Sequence, residues 1–173
     1  MADLQPFFGK HEAAVHAELA ALFHNGALAK LSGGIYILED ENGIQLLGLV
    51  RLASPAAGII LPQEDTTQSR AALPCPVRAA FADESGETKR RMEHLMAAAP
   101  RVECAEEEAT RRLWVVNDIL ALDAFRADFA PRKLRLLSGQ SAYEQALAKR
   151  ECLRQKAAFS QEQEFIPMCL TAK

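Results

Sequence analysis

The chain has 173 residues, of which 49% are apolar and 25% charged, and its formal net charge is −3. This length fits one domain that buries enough surface to need no disulfide or metal, and the small charge does not indicate a dedicated nucleic-acid binder. No apolar run approaches the ~20 residues of a membrane span, and the first 20 residues lack a secretory signal pattern. We therefore expect a cytoplasmic protein that does not span a membrane.

The first predicted element is an amphipathic helix within residues 11–26. Its apolar side chains recur at i, i+4, i+7 and i+8, the spacing that places them on one helical face: Val15, Leu19, Leu22 and Phe23. Gly26 is suited to end the helix, because glycine is favoured just beyond a helix C-terminus.

Residues 34–52 predict a β-hairpin. Asn42-Gly43 is a strong signal for a two-residue type I′ turn, and folding there pairs Tyr36 with Leu49. Both faces of the hairpin are then apolar, which is typical of strands at the centre of a covered sheet. One face carries Tyr36, Leu38, Leu47 and Leu49, and the other carries Ile35, Ile37, Leu46 and Val50.

Beyond the hairpin, a long irregular segment at 54–78 precedes alternating helices and strands. The segment holds a short predicted strand at 58–61. The later predicted elements are a helix at 83–99, strands at 101–105 and 111–116, a helix at 118–129, a strand at 133–137 and a helix at 141–163. Paired strands with helices between them predict a single α+β domain over 1–173, with a mostly antiparallel sheet whose central hairpin is covered by helices.

The later helices carry candidate caps and apolar stripes. The candidate caps are Asp83 or Ser85, Asn117 or Asp118, and the Ser141–Glu144 capping box. The inward stripes are Met92, Leu95, Met96 and Ala99, and then Ile119, Leu122, Phe125 and Phe129. In the C-terminal part, about 141–173, the apolar tail at 165–170 is expected to dock on the chain's own core or to form a homodimer contact.

Neither the cysteines nor the histidines have metal-site spacing. The four cysteines, Cys75, Cys104, Cys152 and Cys169, include no pair two residues apart. The four histidines include no pair at i, i+4. No metal site and no catalytic residue is therefore predicted.

The hairpin resembles two enzyme families in part. GIY at 34–36 and LLG at 46–48 resemble the hairpin of GIY-YIG nucleases, but leucines stand in place of that family's second tyrosine. Residues 36–52 resemble the second and third strands of GNAT acyltransferases, ending in Arg51-Leu52. This second resemblance implies an acyl-coenzyme A cofactor at a glycine-rich turn, whereas residues 53–70 contain a single glycine, Gly58.

The leading hypothesis is a non-enzymatic binding module with a regulatory or accessory role, acting on a small molecule or a protein partner. Its ligand site is expected beneath segment 54–78, against the open side of the central sheet. The candidate ligand-binding residues are Tyr36, Arg51, Cys75 and Arg78. A GNAT-like acyltransferase, with Arg51 near the site and Cys75 as a participant, is the first alternative.

The second alternative is a nucleic-acid-associated regulator. Residues 131–173 hold eight basic and four acidic side chains, and Arg150 and Arg154 lie on one predicted helix. Only two aromatic residues, Tyr143 and Phe159, are interleaved with these charges, which is sparse for a base-stacking surface. A solvated helix face is therefore the favoured interpretation, and nucleic acid is not expected as a partner.

Overall fold

The computed structural model describes residues 1–23, 33–41, 43–63, 75–105, 110–156 and 158–173. Within these ranges the chain forms four helices and one mixed sheet of nine strands. The helices are α1 (Gly9–Phe23), α2 (Glu87–Met96), α3 (Ile119–Phe129) and α4 (Gln140–Gln155). The strands are β1 (Leu4–Gln5), β2 (Ile35–Asp40), β3 (Gly43–Arg51), β4 (Ile60–Leu61), β5 (Val77–Phe81), β6 (Val102–Ala105), β7 (Thr110–Val116), β8 (Leu134–Ser138) and β9 (Phe165–Ala172).

The sheet runs in the order β4-β8-β5-β9-β3-β2-β7-β6, and β1 pairs with the end of β3. Two pairs of neighbouring strands are parallel, β4 with β8 and β5 with β9. The other described pairs are antiparallel. The predicted α+β class with a mostly antiparallel sheet is confirmed.

Two apolar clusters cover the two faces of the sheet. On the first face, which we call the three-helix face, α2, α3 and α4 contribute side chains such as Met92, Phe125 and Tyr143. On the second, the α1 face, helix α1 contributes Val15, Leu19 and Phe23. The cluster on the α1 face includes side chains from β9, β3, β2, β7 and β6, but none from β5, β8 or β4.

The hairpin of β2 and β3 lies at the centre of the sheet, as predicted. Its two sets of apolar side chains divide between the two clusters as expected from the alternation of a strand. The predicted register is wrong by two residues, because Tyr36 pairs with Leu47 and Asp40 with Gly43. Gly43 pairs with Asp40 and is therefore the first residue of the returning strand. Its φ is 101°, a backbone conformation that favours glycine. Asn42 lies outside the described residues.

The predicted assignment of side chains to the two faces is still correct, because side-chain direction repeats every two residues along a strand. A shift of one residue would have exchanged the two faces, whereas a shift of two leaves every side chain on its predicted side. Gly26 and the acidic residues 106–108, which also entered the predictions, lie outside the described residues.

The C-terminal tail is a central strand. β9 lies between β3 and β5, and Leu170, Cys169 and Met168 are fully buried. Of the two predicted docking partners, the tail therefore occupies the chain's own core. Helix α4 ends at Gln155, well before the predicted end near Gln163, because the chain must turn back through Gln161–Glu164 to enter the sheet.

Of segment 54–78, the structure describes residues 54–63 and 75–78, and the short strand predicted at 58–61 is present at Ile60–Leu61. The segment also contains a 3-10 turn at Pro55–Ala57 and the first residues of β5. The parallel pairing of β5 with β9 was not anticipated, because neither strand was predicted.

The predicted cap of α3 is confirmed, whereas the N-cap residue of α2 is Gly86 and not Asp83 or Ser85, although both of these side chains bond backbone N–H groups of the first turn. Asp83 accepts hydrogen bonds from the backbone of Thr88 and Lys89, and Ser85 accepts from Glu87. Asp118 accepts from the backbone of Ala121. The Ser141–Glu144 capping box is absent, because α4 begins at Gln140 and the Glu144 side chain instead accepts from Gln140.

Two residues of the predicted stripes face away from the core. Ile119 is 72% exposed, since it lies in the first turn of α3, before the helix reaches the sheet. Ala99 is exposed because α2 ends at Met96. Leu122, Phe125 and Phe129 are buried as predicted. No helix in the described ranges has both the length and the hydropathy to cross a membrane.

Candidate ligand-binding site

Three of the four candidate residues lie together on the α1 face. Tyr36, Leu47, Cys169 and Arg78 are successive cross-strand neighbours on β2, β3, β9 and β5. With strands about 4.8 Å apart, this row is about 14 Å long. Cys75 belongs to the same apolar cluster as Tyr36 and Cys169.

Arg51 is separate from this row. It lies four residues beyond Leu47 on β3, about 13 Å away along the strand. Its side chain is 54% exposed, pairs with Asp3 and Glu164, and lies over the ring of Phe165. These contacts hold the end of β3 against the segment that leads into β9.

The two thiols of the α1 face are held in the protonated form. Cys169 donates a hydrogen bond of 2.8 Å to Gln45, whose amide donates to Asp40 at 3.0 Å. Burial raises the pKa of Cys169 to about 12, against the opposing effect of the Arg78 charge. Burial also raises the pKa of Cys75, and Cys169 and Glu18 raise it further.

These thiols are therefore poor nucleophiles. At a pKa of about 12, only about one Cys169 side chain in 10⁵ is a thiolate at pH 7, and the thiolate is the reactive form. The structure gives Cys75 the surroundings of a small core side chain rather than those of an activated cysteine.

Tyr36 is also buried, and its hydroxyl lies 2.7 Å from Nε2 of His16. Burial raises the pKa of Tyr36, and the charge of Glu12 raises it further. The phenol thus stays protonated at neutral pH and contributes a fixed polar group between α1 and β2.

A cleft lies on the three-helix face, between segment 52–63 and α4. The segment is attached to the helix at both ends. The Tyr143 hydroxyl bonds the backbone N and O of Ala53, each at 2.9 Å. The backbone N of Gln63 donates to Oε1 of Gln140 at 3.1 Å.

The cleft between the segment and α4 has a volume of about 240 Å³. Pro55, Ile60 and Pro62 line its outer side, and Leu136 of β8 belongs to its floor. Tyr143, Leu147, Gln140 and Glu144 of α4 line the opposite side. The lining is therefore apolar except where Gln140 and Glu144 are paired by a hydrogen bond of 2.9 Å.

None of the four candidate residues lines this cleft. The sequence signals that were missed are modest. Gln140, Glu144 and Leu147 recur at helical spacing on α4 and fall on one helix face. Nothing in the sequence indicated that this face lies across from Pro55 and Pro62.

Two structural observations concern the alternative functions. After β3, residues 52–63 form a 3-10 turn and β4, so this stretch contains no α-helix N-terminus of the kind that cradles a coenzyme A pyrophosphate. Arg150 is buried and bonds the backbone of Leu52 and the carboxylate of Glu151. Arg154 pairs with Glu164. These guanidinium groups are engaged in internal contacts.

No protein-family model matches the chain, and comparisons with curated proteins and with solved structures find no match. Within the described ranges, no three histidine, cysteine or acidic side chains are grouped so that they could hold a metal ion. Function is therefore inferred from the chemistry of the cleft and of the α1 face.

Proposed function

We propose that the protein is a non-enzymatic ligand-binding module of the cytoplasm, with a regulatory or accessory role, and that the cleft between segment 52–63 and α4 is its site. The observation that carries this proposal is the attachment of the segment at Ala53 and Gln63 with an apolar space of about 240 Å³ between them. The lining is formed mainly by proline, isoleucine and leucine side chains, which supports binding of an apolar ligand rather than catalysis.

The size and polarity of the cleft indicate the ligand class. Ligand sites for drug-sized molecules occupy about 300–1,000 Å³, and a dry cavity of about 150 Å³ accepts benzene. A ligand of roughly ten non-hydrogen atoms fits between these limits. Glu144 is the one charged residue of the lining, so a small apolar molecule with a cationic or hydrogen-bond-donating end matches best.

Benzylamine, benzyl alcohol and benzoate test this proposal, because they share a ring and differ in the charge of one group. We expect benzylamine to bind with a Kd on the order of 1 mM, measured by ¹H–¹⁵N NMR shifts of residues 53–63 and 140–147. Glu144→Gln should remove the preference for the amine over the alcohol, since the variant removes the carboxylate and keeps the shape.

A matched pair of variants locates the binding. Leu147→Trp fills the cleft, whereas Ala148→Trp adds the same indole at an exposed neighbour on α4. We expect the first to abolish binding and the second to leave it unchanged. Equal binding by both variants, or no binding of any of the three compounds, would contradict the proposal. Acetyl-coenzyme A in the same titration tests the acyltransferase alternative.

A further inference from the structure

Arg78 is a charged residue without a counter-charge in the described structure. It lies on β5 with its side chain on the α1 face, since Val77 and Ala79 on either side belong to the core of the three-helix face. The side chain is partly buried. Within the described ranges its guanidinium forms no hydrogen bond or ion pair, and its buried Nε has no partner.

Other arginines of the chain show how this fold treats a buried guanidinium. Arg132 bonds the backbone of Asp128 and the side chains of Asp83 and Thr88. Arg150 bonds Leu52 and Glu151, as described above. Burying a charge without partners is costly, and natural proteins retain such groups mainly at functional sites. Among the described residues Arg78 has no such partner, and this makes it a candidate for binding an external group.

A second unpaired group lies next to Arg78. Thr171 is on the same face of β9 as Cys169, the direct neighbour of Arg78, and its Oγ1 is buried without a hydrogen-bond partner. The Cα atoms of Arg78 and Thr171 are diagonal neighbours about 8 Å apart. Ala80 stands opposite Thr171 and fills little space above the sheet. The neighbouring thiol of Cys169 is neutral and already donates to Gln45.

We propose that Arg78 and Thr171 bind an oxyanion, the carboxylate or phosphate group of a small molecule, on the α1 face. The planar guanidinium offers parallel N–H donors that match two oxygens of such a group, and the threonine hydroxyl supplies another donor. This site is on the opposite face of the sheet from the cleft, so it is independent of the function proposed above.

Thermal denaturation at pH 7 with sodium phosphate, sodium acetate or sodium chloride at equal ionic strength tests the site. The wild type and Arg90→Met, which removes an exposed arginine of α2, should show a saturable rise in Tm with phosphate, acetate or both, but not with chloride. Arg78→Met should lose this rise, with at least a tenfold weaker Kd. Thr171→Val should weaken binding about fivefold, as expected for one hydrogen bond. A rise with acetate identifies the group as a carboxylate, and one with phosphate alone as a phosphate.

Two further readouts separate a site arginine from a structural one. Without added anion, Arg78→Met should be as stable as the wild type or more stable, because an unpaired charge is replaced by an apolar side chain. In the wild type, the NMR signal of the Arg78 Nε–H should shift as the anion is added. A lower Tm of Arg78→Met without anion, equal anion effects in all variants, or no effect of phosphate and acetate on the wild type would each overturn the proposal.

Discussion

At the scale of single residues, the α1 face combines ionisable side chains that are uncharged at neutral pH with one arginine, Arg78, that stays charged. Burial raises the pKa of Cys75, Cys169 and Tyr36, so each retains its proton at neutral pH. An arginine guanidinium does not lose its charge in proteins, so Arg78 cannot reduce the cost of burial in the same way. For this reason we propose a binding role on this face for Arg78 and not for a cysteine.

Gly139 is the residue where a single methyl group should matter most. It adopts φ of 80° just before α4, and an added Cβ would lie 2.1 Å from the carbonyl oxygen of Pro76. We expect Gly139→Ala to lower the free energy of unfolding by about 3 kcal/mol or more, because backbone strain and a clash with β5 combine. Urea denaturation measures this change.

Gly86 provides the matched control, since it has φ of 65° and no atom within 4 Å of an added Cβ. Gly86→Ala should cost only about 1 kcal/mol, from the backbone conformation alone. If the two alanine variants lost the same stability, the close approach of residue 139 to β5 would not contribute.

At the scale of elements, the N-terminus of α2 is held by a buried carboxylate. The Asp83 side chain is 4% exposed and pairs with Arg132 at 3.0 Å. Desolvation acts to raise the pKa of Asp83, but hydrogen bonds from Lys89, Arg132 and Thr88 outweigh it and lower the pKa. The folded protein therefore binds this proton less tightly than the unfolded chain does.

The stabilisation by Asp83 should depend on pH in one direction. It is fully present above the ordinary pKa of an aspartate and is lost as the pH falls through the lowered folded-state value. At pH 7 we expect Asp83→Ala to cost about 2–3 kcal/mol, from a lost cap and a lost charged hydrogen bond. The difference from the wild type should shrink in acid, as measured by urea denaturation across pH.

Asp123 serves as the control for Asp83. It is 61% exposed and pairs with Arg126 within one turn of α3, so Asp123→Ala should change stability by about 0.5 kcal/mol or less. A pH-independent effect of Asp83→Ala would show that the carboxylate charge is not what stabilises this helix end.

At the scale of the whole molecule, the C-terminal strand joins two parts of the sheet. β9 pairs with β3 on one side and β5 on the other, so within the described sheet it joins the two halves. Leu170→Ala should cost about 2–5 kcal/mol because Leu170 is fully buried in this strand. Leu120→Ala, at a 79% exposed position of α3, should change stability by less than about 0.5 kcal/mol. Similar losses in both variants would contradict the central role of β9.

The predictable features were those that follow from local periodicity. The central hairpin, the cap of α3 at Asp118, and the buried residues Leu122, Phe125 and Phe129 of α3 were all evident in the sequence. β9 was interpreted as an apolar docking tail and not as a strand, and Pro167 is a residue rarely found in central strands. In the structure this proline precedes the first pair between β9 and β5, Val77 with Met168, so its missing N–H donor is tolerated.

The candidate site was harder to predict because it depends on pairing between distant segments. Tyr36, Cys75 and Arg78 come together only because β9 lies between β3 and β5, and the alternation of a strand then places Arg78 beside Cys169. Arg51 was a candidate because residues 36–52 resemble strands of GNAT acyltransferases, but it lies about 13 Å from this row, at the end of β3. Loop and helix positions around the cleft have no sequence pattern that links them.

The position of β9 has a consequence for synthesis on the ribosome. Until residues 165–172 have emerged, β3 and β5 each keep an unpaired edge, and their apolar side chains lack the strand that lies between them. Unpaired edges of this kind pair readily with other chains. The nascent protein therefore passes through an interval in which two unfinished sheets are exposed, and its yield in cells should depend on chaperones that protect strand edges.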